Sequence, residues 1–135
     1  MSASHPAAAD LFQVLREHLA GEVSPLLPPD QQFRLRIADR LLETLAREQA
    51  QGGAADARER AGLMRLLGAG GTDGEGGTGR EGAATEALRA ELARRIREDA
   101  IAADSPELLA HLRETLADRL RIDNPRWLPE ALRGA

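Results

Sequence analysis

Residues that favour β-strands are scarce in this chain of 135 residues. Val and Ile together number six, Tyr is absent, and the aromatic residues are two Phe and one Trp. Strands draw on β-branched and aromatic side chains, whereas the abundant Ala, Leu, Arg and Glu of this chain favour helices. The sequence therefore predicts an all-α fold.

Apolar residues recur every three or four positions in five segments, which is the spacing of one helix face. Gly21 is expected to end the first helix and Gly52-Gly53 the second. Because most connections are short, we expect a four- to five-helix antiparallel bundle. The predicted helices run from Ser4-His5-Pro6 to Ala20, from Asp30 to Gln51, from Ala54 to Leu67, from Ala84 to Ala100, and from Asp104 or Ser105 to about Asp123.

Each predicted helix carries an apolar stripe that is expected to face the core, while Arg and Glu occupy the opposite face. The stripes are Ala8, Leu11, Phe12, Leu15 and Leu19; Phe33, Ile37, Leu41, Leu42 and Leu45; Leu63, Leu66 and Leu67; Leu88, Leu92 and Ile96; and Leu109, Leu112, Leu116 and Leu120, with Leu108 beside them.

Residues 68–82 differ in kind from the rest of the chain. Eight of these fifteen residues are Gly, and none is apolar and larger than Ala. Such a stretch gains too little from burial to offset the entropy lost on ordering. The sequence therefore predicts one helical domain over residues 1–135, with a disordered, flexible Gly-rich linker at 68–82.

The charges of the chain argue against a nucleic-acid partner, and its apolar runs argue against a membrane. The net charge is −4 and the pI about 5.4, whereas nucleic-acid binders show clustered basic residues and a high pI. No apolar run approaches the ~18 residues of a transmembrane helix. The N-terminus also lacks the basic start of a signal peptide. We expect a bacterial-type cytoplasmic protein.

Side chains that carry out chemistry are few. The chain has no Cys and no Lys. Without Lys, P-loop, kinase-type and Schiff-base mechanisms are excluded, and without Cys, thiol nucleophiles are excluded. None of the four Ser lies in a Gly-x-Ser-x-Gly elbow. We therefore expect a protein that is not an enzyme and uses no cofactor.

The three histidines are the remaining candidates for a metal or catalytic site. His111 follows Glu107 by four residues and precedes Glu114 by three, so the three share a helix face. Di-iron bundles use Glu-x-x-His motifs, which this chain lacks. We expect no metal site and ordinary structural roles for His5, His18 and His111. The alternative is an enzyme that uses His111 with Glu107 or Glu114.

The only Asn and the only Trp lie close together in the segment 122–129. A residue before Pro is disfavoured in a helix, so Asn124-Pro125 is expected to end the last helix. Trp127 is then expected to fold back and close the end of the bundle. The alternative is a partner-binding anchor formed by Arg126, Trp127 and Leu128, because Trp and Arg dominate interface hot spots.

Three stretches carry a resemblance to a known family: 5–11 with 22–23, 33–48, and 88–127, which ends in Asp123-Asn124-Pro125-Arg126-Trp127. On these residues the chain resembles small helical bacterial proteins classed as a domain of unknown function. The Gly-rich segment looks like an insertion particular to this chain. Arg40 stands where the family is expected to carry Asn.

The resemblance implies a role rather than a reaction. Members of the family look like genome neighbours of aminoglycoside-phosphotransferase-like kinases and acyl-CoA dehydrogenases, so we expect a non-enzymatic accessory protein that binds or regulates such a kinase in acyl-CoA metabolism. A first alternative is a helical bundle that binds an acyl chain or a CoA-like anion, with Arg36, Arg40 and Arg95 at the charged end. A homodimer is a further candidate state, because Ala/Leu bundles often bury a leftover apolar face in one.

Overall fold

The structure, a computed structural model, describes residues 6–68 and 78–133. Every regular element within these two ranges is helical and no strand occurs in them, which confirms the all-α prediction. The elements are α1 (Ala8–His18), a π-helical turn (Leu19–Val23), a 3-10 turn (Ser24–Leu26), α2 (Pro29–Leu67), α3 (Thr78–Arg97), α4 (Pro106–Asp123), a second 3-10 turn (Pro125–Trp127) and α5 (Glu130–Arg133).

Local chemistry sets the ends of α2 and α4. The Ser105 hydroxyl caps α4 by accepting a hydrogen bond of 3.3 Å from a backbone N–H in its first turn. The helix ends at Asp123, one residue before the position that Pro125 forces out of the helix. α2 ends where Gly68 adopts a left-handed φ of 65°. Both predicted ends of the last helix are confirmed.

The first helix differs from its prediction at both ends. It begins at Ala8, after Pro6, and Gly21 does not stop the helical path. Instead the chain widens into a π-helical turn, in which the Ser24 N–H donates to the Leu19 carbonyl, five residues earlier. The 3-10 turn that follows then leads into α2.

α2 is one helix of 39 residues, so the predicted break at Gly52-Gly53 is wrong. Glycine in a helix interior costs about 0.5–1 kcal/mol relative to Ala, which tertiary packing can outweigh. Helix α4 lies across this point. Arg47 Nε donates to the Ile122 carbonyl at 2.6 Å before the glycines, and Arg58 Nε contacts Asp118 at 2.8 Å after them. α4 therefore holds the two predicted helices together as one.

The same contacts give the direction of α4. Arg47 contacts Ile122, whereas Arg58, later in α2, contacts Asp118, which comes earlier in α4. The two helices therefore run antiparallel. α1 also runs antiparallel to α2, because a short turn joins them and Arg16 Nε lies 2.8 Å from Asp39 Oδ1. The antiparallel prediction holds for these two pairs.

Helix α3 runs parallel to α2. Arg89 Nε donates to Glu59 Oε1 at 2.6 Å, and Arg95 Nη1 donates to the Leu67 carbonyl at 2.9 Å. Residue numbers therefore rise together along the two helices, and the antiparallel expectation is wrong for this pair. The eleven steps from Leu67 to Thr78 can reach about 36 Å, enough to return along the bundle.

At Gly62 a side chain of α4 lies directly against the backbone of α2. A Cβ at this position would lie 2.7 Å from Cε1 of His111 and closer still to Nδ1. Any larger residue would force the imidazole or the helix backbone to move. The absence of a side chain at Gly62 therefore allows the ring of His111 to pack directly on the backbone of α2.

The core lies between the C-terminal half of α2 and helices α3 and α4. It consists of Leu63 and Leu67 from α2, Leu92 from α3 and Leu108 from α4. The predicted stripes of the third and fourth predicted helices are therefore confirmed as core. Leu66, Leu88, Ile96 and Ile101 pack around this cluster.

The other predicted stripes are mostly on the surface. Leu116 is 62% exposed and Phe33 is 58% exposed. The buried face of α4 instead carries Leu108, Ala117 and Ile122 together with two polar residues, His111 and Asp118. The polar residues pack on or bond to α2 and so can be accommodated inside. The predicted burial is wrong for Leu11, Leu15, Phe33, Ile37, Leu41, Leu45, Leu109, Leu112 and Leu116.

Some predictions concern residues that the structure does not describe. His5 and residues 69–77 of the predicted linker lie outside the described residues. Thr78, within the predicted linker, is already the first residue of α3. Among the described helices, none combines the length and apolar character that crossing a bilayer requires.

Substitutions of two glycines of α2 test its structure: Gly53 tests the continuity of the helix, and Gly62 tests its contact with α4. A Cβ at the exposed Gly53 would meet no atom within 4 Å, so Gly53→Ala is expected to stabilise the fold by about 0.5–1 kcal/mol. Gly62→Ala is expected to destabilise it by about 1–3 kcal/mol, because the new methyl overlaps the ring of His111. Urea unfolding measures both changes. A Gly53→Ala variant less stable than the parent would contradict a continuous helix.

Candidate functional site

A cavity of about 550 Å³ opens beside the core, between the end of α2, the turn after α3 and the first half of α4. Its apolar wall includes Leu66 and Ile101. Its polar and charged wall is formed by Arg65, Ser105, Glu107, His111 and Glu114. The structure therefore brings His111, Glu107 and Glu114 to one cavity, as their spacing predicts.

His111 is the buried polar group of this cavity. Its side chain is 8% exposed, and the described residues supply it with no hydrogen bond. Burial lowers the pKa of the imidazole, and Arg65 lowers it further, while Glu59 and Glu114 act in the opposite direction. The ring is therefore neutral at neutral pH and has donor and acceptor capacity to offer.

The carboxylate of Glu59 also acts on His111, although the sequence analysis did not select it. Glu59 is buried, and Arg89 of α3 binds it through two hydrogen bonds of 2.6 and 2.7 Å. These bonds lower the pKa of Glu59 and keep it ionised. One sequence signal was available: Gly62, three residues later in a helix interior, is typical of close approach by another element.

Glu107 and Glu114 differ in their roles. Glu107 lies in the first turn of α4, where hydrogen bonds from its own backbone N–H and from the Ser105 hydroxyl, at 3.0 Å, lower its pKa. It stabilises the start of the helix. Glu114 is exposed and acts on His111 through its charge. Glu114 is therefore the freer of the two carboxylates for contact with a ligand.

The second candidate site is the segment after α4. Trp127 is 75% exposed, whereas the next residue, Leu128, is 1% exposed. The expectation that Trp127 caps the bundle is therefore wrong, because Leu128 fills that place. The expectation that Leu128 belongs to a surface anchor is wrong for the same reason. Of the predicted anchor residues, Arg126 and Trp127 remain at the surface.

Hydrogen bonds fix the backbone that carries Trp127. Arg133 donates to the Leu128 carbonyl at 2.7 Å and to the Arg126 carbonyl at 2.9 Å. Arg121 of α4 donates to the Leu132 carbonyl at 3.3 Å. The indole is thus presented on an ordered turn, with its position fixed on both sides.

The remaining predicted site residues do not converge. Arg36 lies over the ring of Phe33, 5.7 Å from its centroid, near the start of α2. Arg95 bonds to the Leu67 carbonyl at the other end of α2. Leu67 follows Arg36 by thirty-one residues, about 46 Å along a helix. The prediction that Arg36, Arg40 and Arg95 surround one charged group is therefore wrong.

His18 is also remote from His111. It lies at the end of α1, with Nδ1 3.2 Å from a carboxylate oxygen of Glu22, and it is exposed. Residues 6–68 and 78–133 contain no group of three His, Asp or Glu side chains that could hold a metal ion. His111 therefore stands alone among the described histidines as a cavity residue.

The fold and these two sites define a small helical protein with one polar cavity wall and one exposed aromatic turn. The family described as a domain of unknown function (DUF6285) matches residues 25–127. The chain therefore belongs to this family, which confirms the predicted membership of a domain-of-unknown-function family. No curated protein and no solved structure matches the chain. The matched region includes the cavity and ends at Trp127.

The buried imidazole makes stability depend on pH. His111 has a lowered pKa in the folded protein, so the unfolded chain binds its proton more readily. The contribution of His111 is fully present above its ordinary pKa of 6.5 and is lost as the pH falls from there through the folded-state pKa. We expect a lower urea midpoint at about pH 5.5 than at about pH 7.5.

Substitution isolates this effect. His111→Gln is expected to flatten the dependence between these two pH values, because Gln does not titrate. His18→Gln is the matched control and should retain the slope, since His18 is exposed. An unchanged slope in His111→Gln would show that another group is responsible.

Proposed function

We propose that this protein is a non-enzymatic helical accessory protein that binds a partner protein through Arg126 and Trp127. The observation that supports the proposal is the exposure of Trp127, 75%, on a turn that Arg133 and Arg121 hold in place. Tryptophan in particular is enriched at interfaces, where its large ring is buried on binding.

The energetics favour such an anchor. Burial of a Trp removes about 150–250 Å² of surface from water, and Trp and Arg are enriched among residues that dominate interface affinity. Because the turn is already ordered, a partner would not have to supply the entropy of ordering it. The neighbouring guanidinium of Arg126 can pair with a carboxylate at the rim.

The resemblance directs the choice of partner. Proteins of this kind look like genome neighbours of aminoglycoside-phosphotransferase-like kinases and of acyl-CoA dehydrogenases. A phosphotransferase-like kinase acting in acyl-CoA metabolism is the first candidate, and an acyl-CoA dehydrogenase is the second. The accessory protein would stabilise or regulate its partner.

Two adjacent residues separate binding from folding. Trp127→Ala is expected to leave helix content and the unfolding midpoint nearly unchanged and to weaken capture of the co-expressed kinase at least tenfold, about 1.4 kcal/mol. Leu128→Ala is expected to cost about 2–5 kcal/mol of stability, because it removes a buried side chain. Pull-down and urea unfolding measure these effects.

Leu26→Ala is the control for nonspecific apolar binding, because Leu26 is exposed and lies far along the chain from the turn that carries Trp127. Capture should be unchanged in this variant. If the parent forms no complex with either partner at micromolar concentration, or if Trp127→Ala unfolds the protein, the proposal is wrong.

The cavity supports a second candidate function, in which the protein binds a small molecule or performs acid–base chemistry on it. A neutral, buried His111 lies there with Glu107, Glu114 and Arg65. A neutral imidazole beside a carboxylate can accept a proton from a bound molecule or donate one to it. This arrangement supports the alternative in which His111 acts with one of the two glutamates.

A thermal-shift screen tests this candidate with acyl-CoAs, nucleotides and amino acids. A ligand at 100 times its dissociation constant adds about 2.7 kcal/mol to the free energy of unfolding. The shift should disappear in Glu114→Gln, which lines the cavity, and persist in Trp127→Ala, which does not. Flat melting curves for all compounds would reject the candidate.

A further inference from the structure

Four large apolar residues form a stripe on the N-terminal half of α2, at every fourth position. The α2 stripe consists of Phe33, Ile37, Leu41 and Leu45, each about half exposed or more. The same helix face continues seven residues later at Gly52 and reaches Leu63 of the core. Positions four or seven residues apart lie on one face of a helix.

This face is therefore covered over one half of α2 and bare over the other. In the C-terminal half, α3 and α4 bury Gly52, Glu59, Gly62 and Leu63. In the N-terminal half, from Pro29 to Gln51, no residue is buried. After α4 the described chain continues as a 3-10 turn and the four-residue helix α5, which is too short to cover the four positions of the stripe.

Helix α1 does not cover the α2 stripe. It packs on a different side of α2, where Arg16 forms two hydrogen bonds to Asp39. α1 itself contains no buried residue, and Leu11, Val14 and Leu15 are exposed. The α1–α2 hairpin thus has an apolar surface on both helices and no interior of its own.

The accessible surface shows how much is uncovered. The chain exposes 9960 Å². At most about 2,000 Å² of this surface belongs to the undescribed residues, which is what they would expose as an unfolded chain. The remaining surface belongs to the described residues, and it is larger than that of a compact monomer of the same mass. An excess of about 1,600 Å² remains. The surface is larger than that of a monomer with a completed core.

We propose that a second copy of this chain covers the α2 stripe, so that two α1–α2 hairpins pack across a two-fold axis as a four-helix bundle. Two surfaces with this excess would bury about 3,000 Å² together, which is the range of obligate homodimers and exceeds that of transient complexes. In a two-fold interface the same patch faces itself, and a straight row of similar apolar residues meets that requirement.

The interface is independent of the partner site proposed above. It uses the N-terminal half of α2, whereas that site uses the turn at Arg126 and Trp127. Dimerisation can therefore be tested on the purified chain alone, and either proposal can fail without the other.

The test is the mass of the purified full chain in solution at micromolar concentration, by light scattering or sedimentation. The parent is expected at twice the 14.5 kDa of one chain, and Leu41→Glu at 14.5 kDa with unchanged helix content. Leu26→Glu is the matched control, because Leu26 is more exposed and lies outside the stripe. It should remain a dimer.

A monomeric parent overturns the proposal. A dimer that persists in Leu41→Glu also overturns it, because the interface would then lie elsewhere. A parent found only in complex with a different protein, and monomeric once separated from it, would assign the stripe to that protein and reject the second copy.

If Leu41→Glu fails to fold, cysteine cross-linking decides the question, since the chain has no native Cys. Near a two-fold axis, residues approach their own counterparts. Ile37→Cys or Leu41→Cys should therefore give a covalent dimer with a short bifunctional thiol reagent. Leu26→Cys should stay uncross-linked. Equal cross-linking at all three positions would indicate random collision and reject the proposal.

Discussion

The packing of α3 and α4 on the C-terminal half of α2 is the interaction on which the rest of the structure depends. It supplies the leucine core, and it also holds two glycines inside a continuous helix. Its polar part is specific: Glu59 with Arg89 and Asp118 with Arg58 each form two short hydrogen bonds. Both carboxylates are buried, and each is bound by an arginine from another helix, so these pairs fix which helix faces meet.

The sequence predicted what local chemistry decides. Helical composition excludes strands, Ser105 provides a cap, and Pro125 ends α4, and each effect acts within a few residues. What it could not predict depends on distant contacts. The glycines at 52 and 53 read as a break because the sequence does not show that α4 crosses them. The α4 leucines were predicted to be core because the sequence does not show that Arg58 of α2 binds Asp118 and so places this polar residue on the buried face.

For the candidate sites too, the sequence predicted what depends on one helix and missed what depends on contacts between helices. Helical spacing was enough to place His111, Glu107 and Glu114 at one cavity, because all three lie on one helix. Glu59 and Gly62 come from another helix, so their part in the environment of His111 required the packing to be known. In the segment after α4, Trp127 is exposed and Leu128 is buried. The end of the helix at Asn124-Pro125 led us to expect that Trp127 folds back onto the bundle, but the turn after Pro125 directs Leu128 inward instead.

The parallel course of α2 and α3 has a consequence for the length of the chain between them. Thr78 precedes Arg89 by eleven residues, so it lies level with the middle of α2, about 28 Å from Leu67 by helical rise. The eleven steps from Leu67 to Thr78 can reach about 36 Å, which is enough for this topology. A family member with a much shorter connection could keep the parallel course only if its third helix began later, nearer the level of Leu63 and Leu67, because each residue removed from the start of the helix shortens the required span by about 1.5 Å.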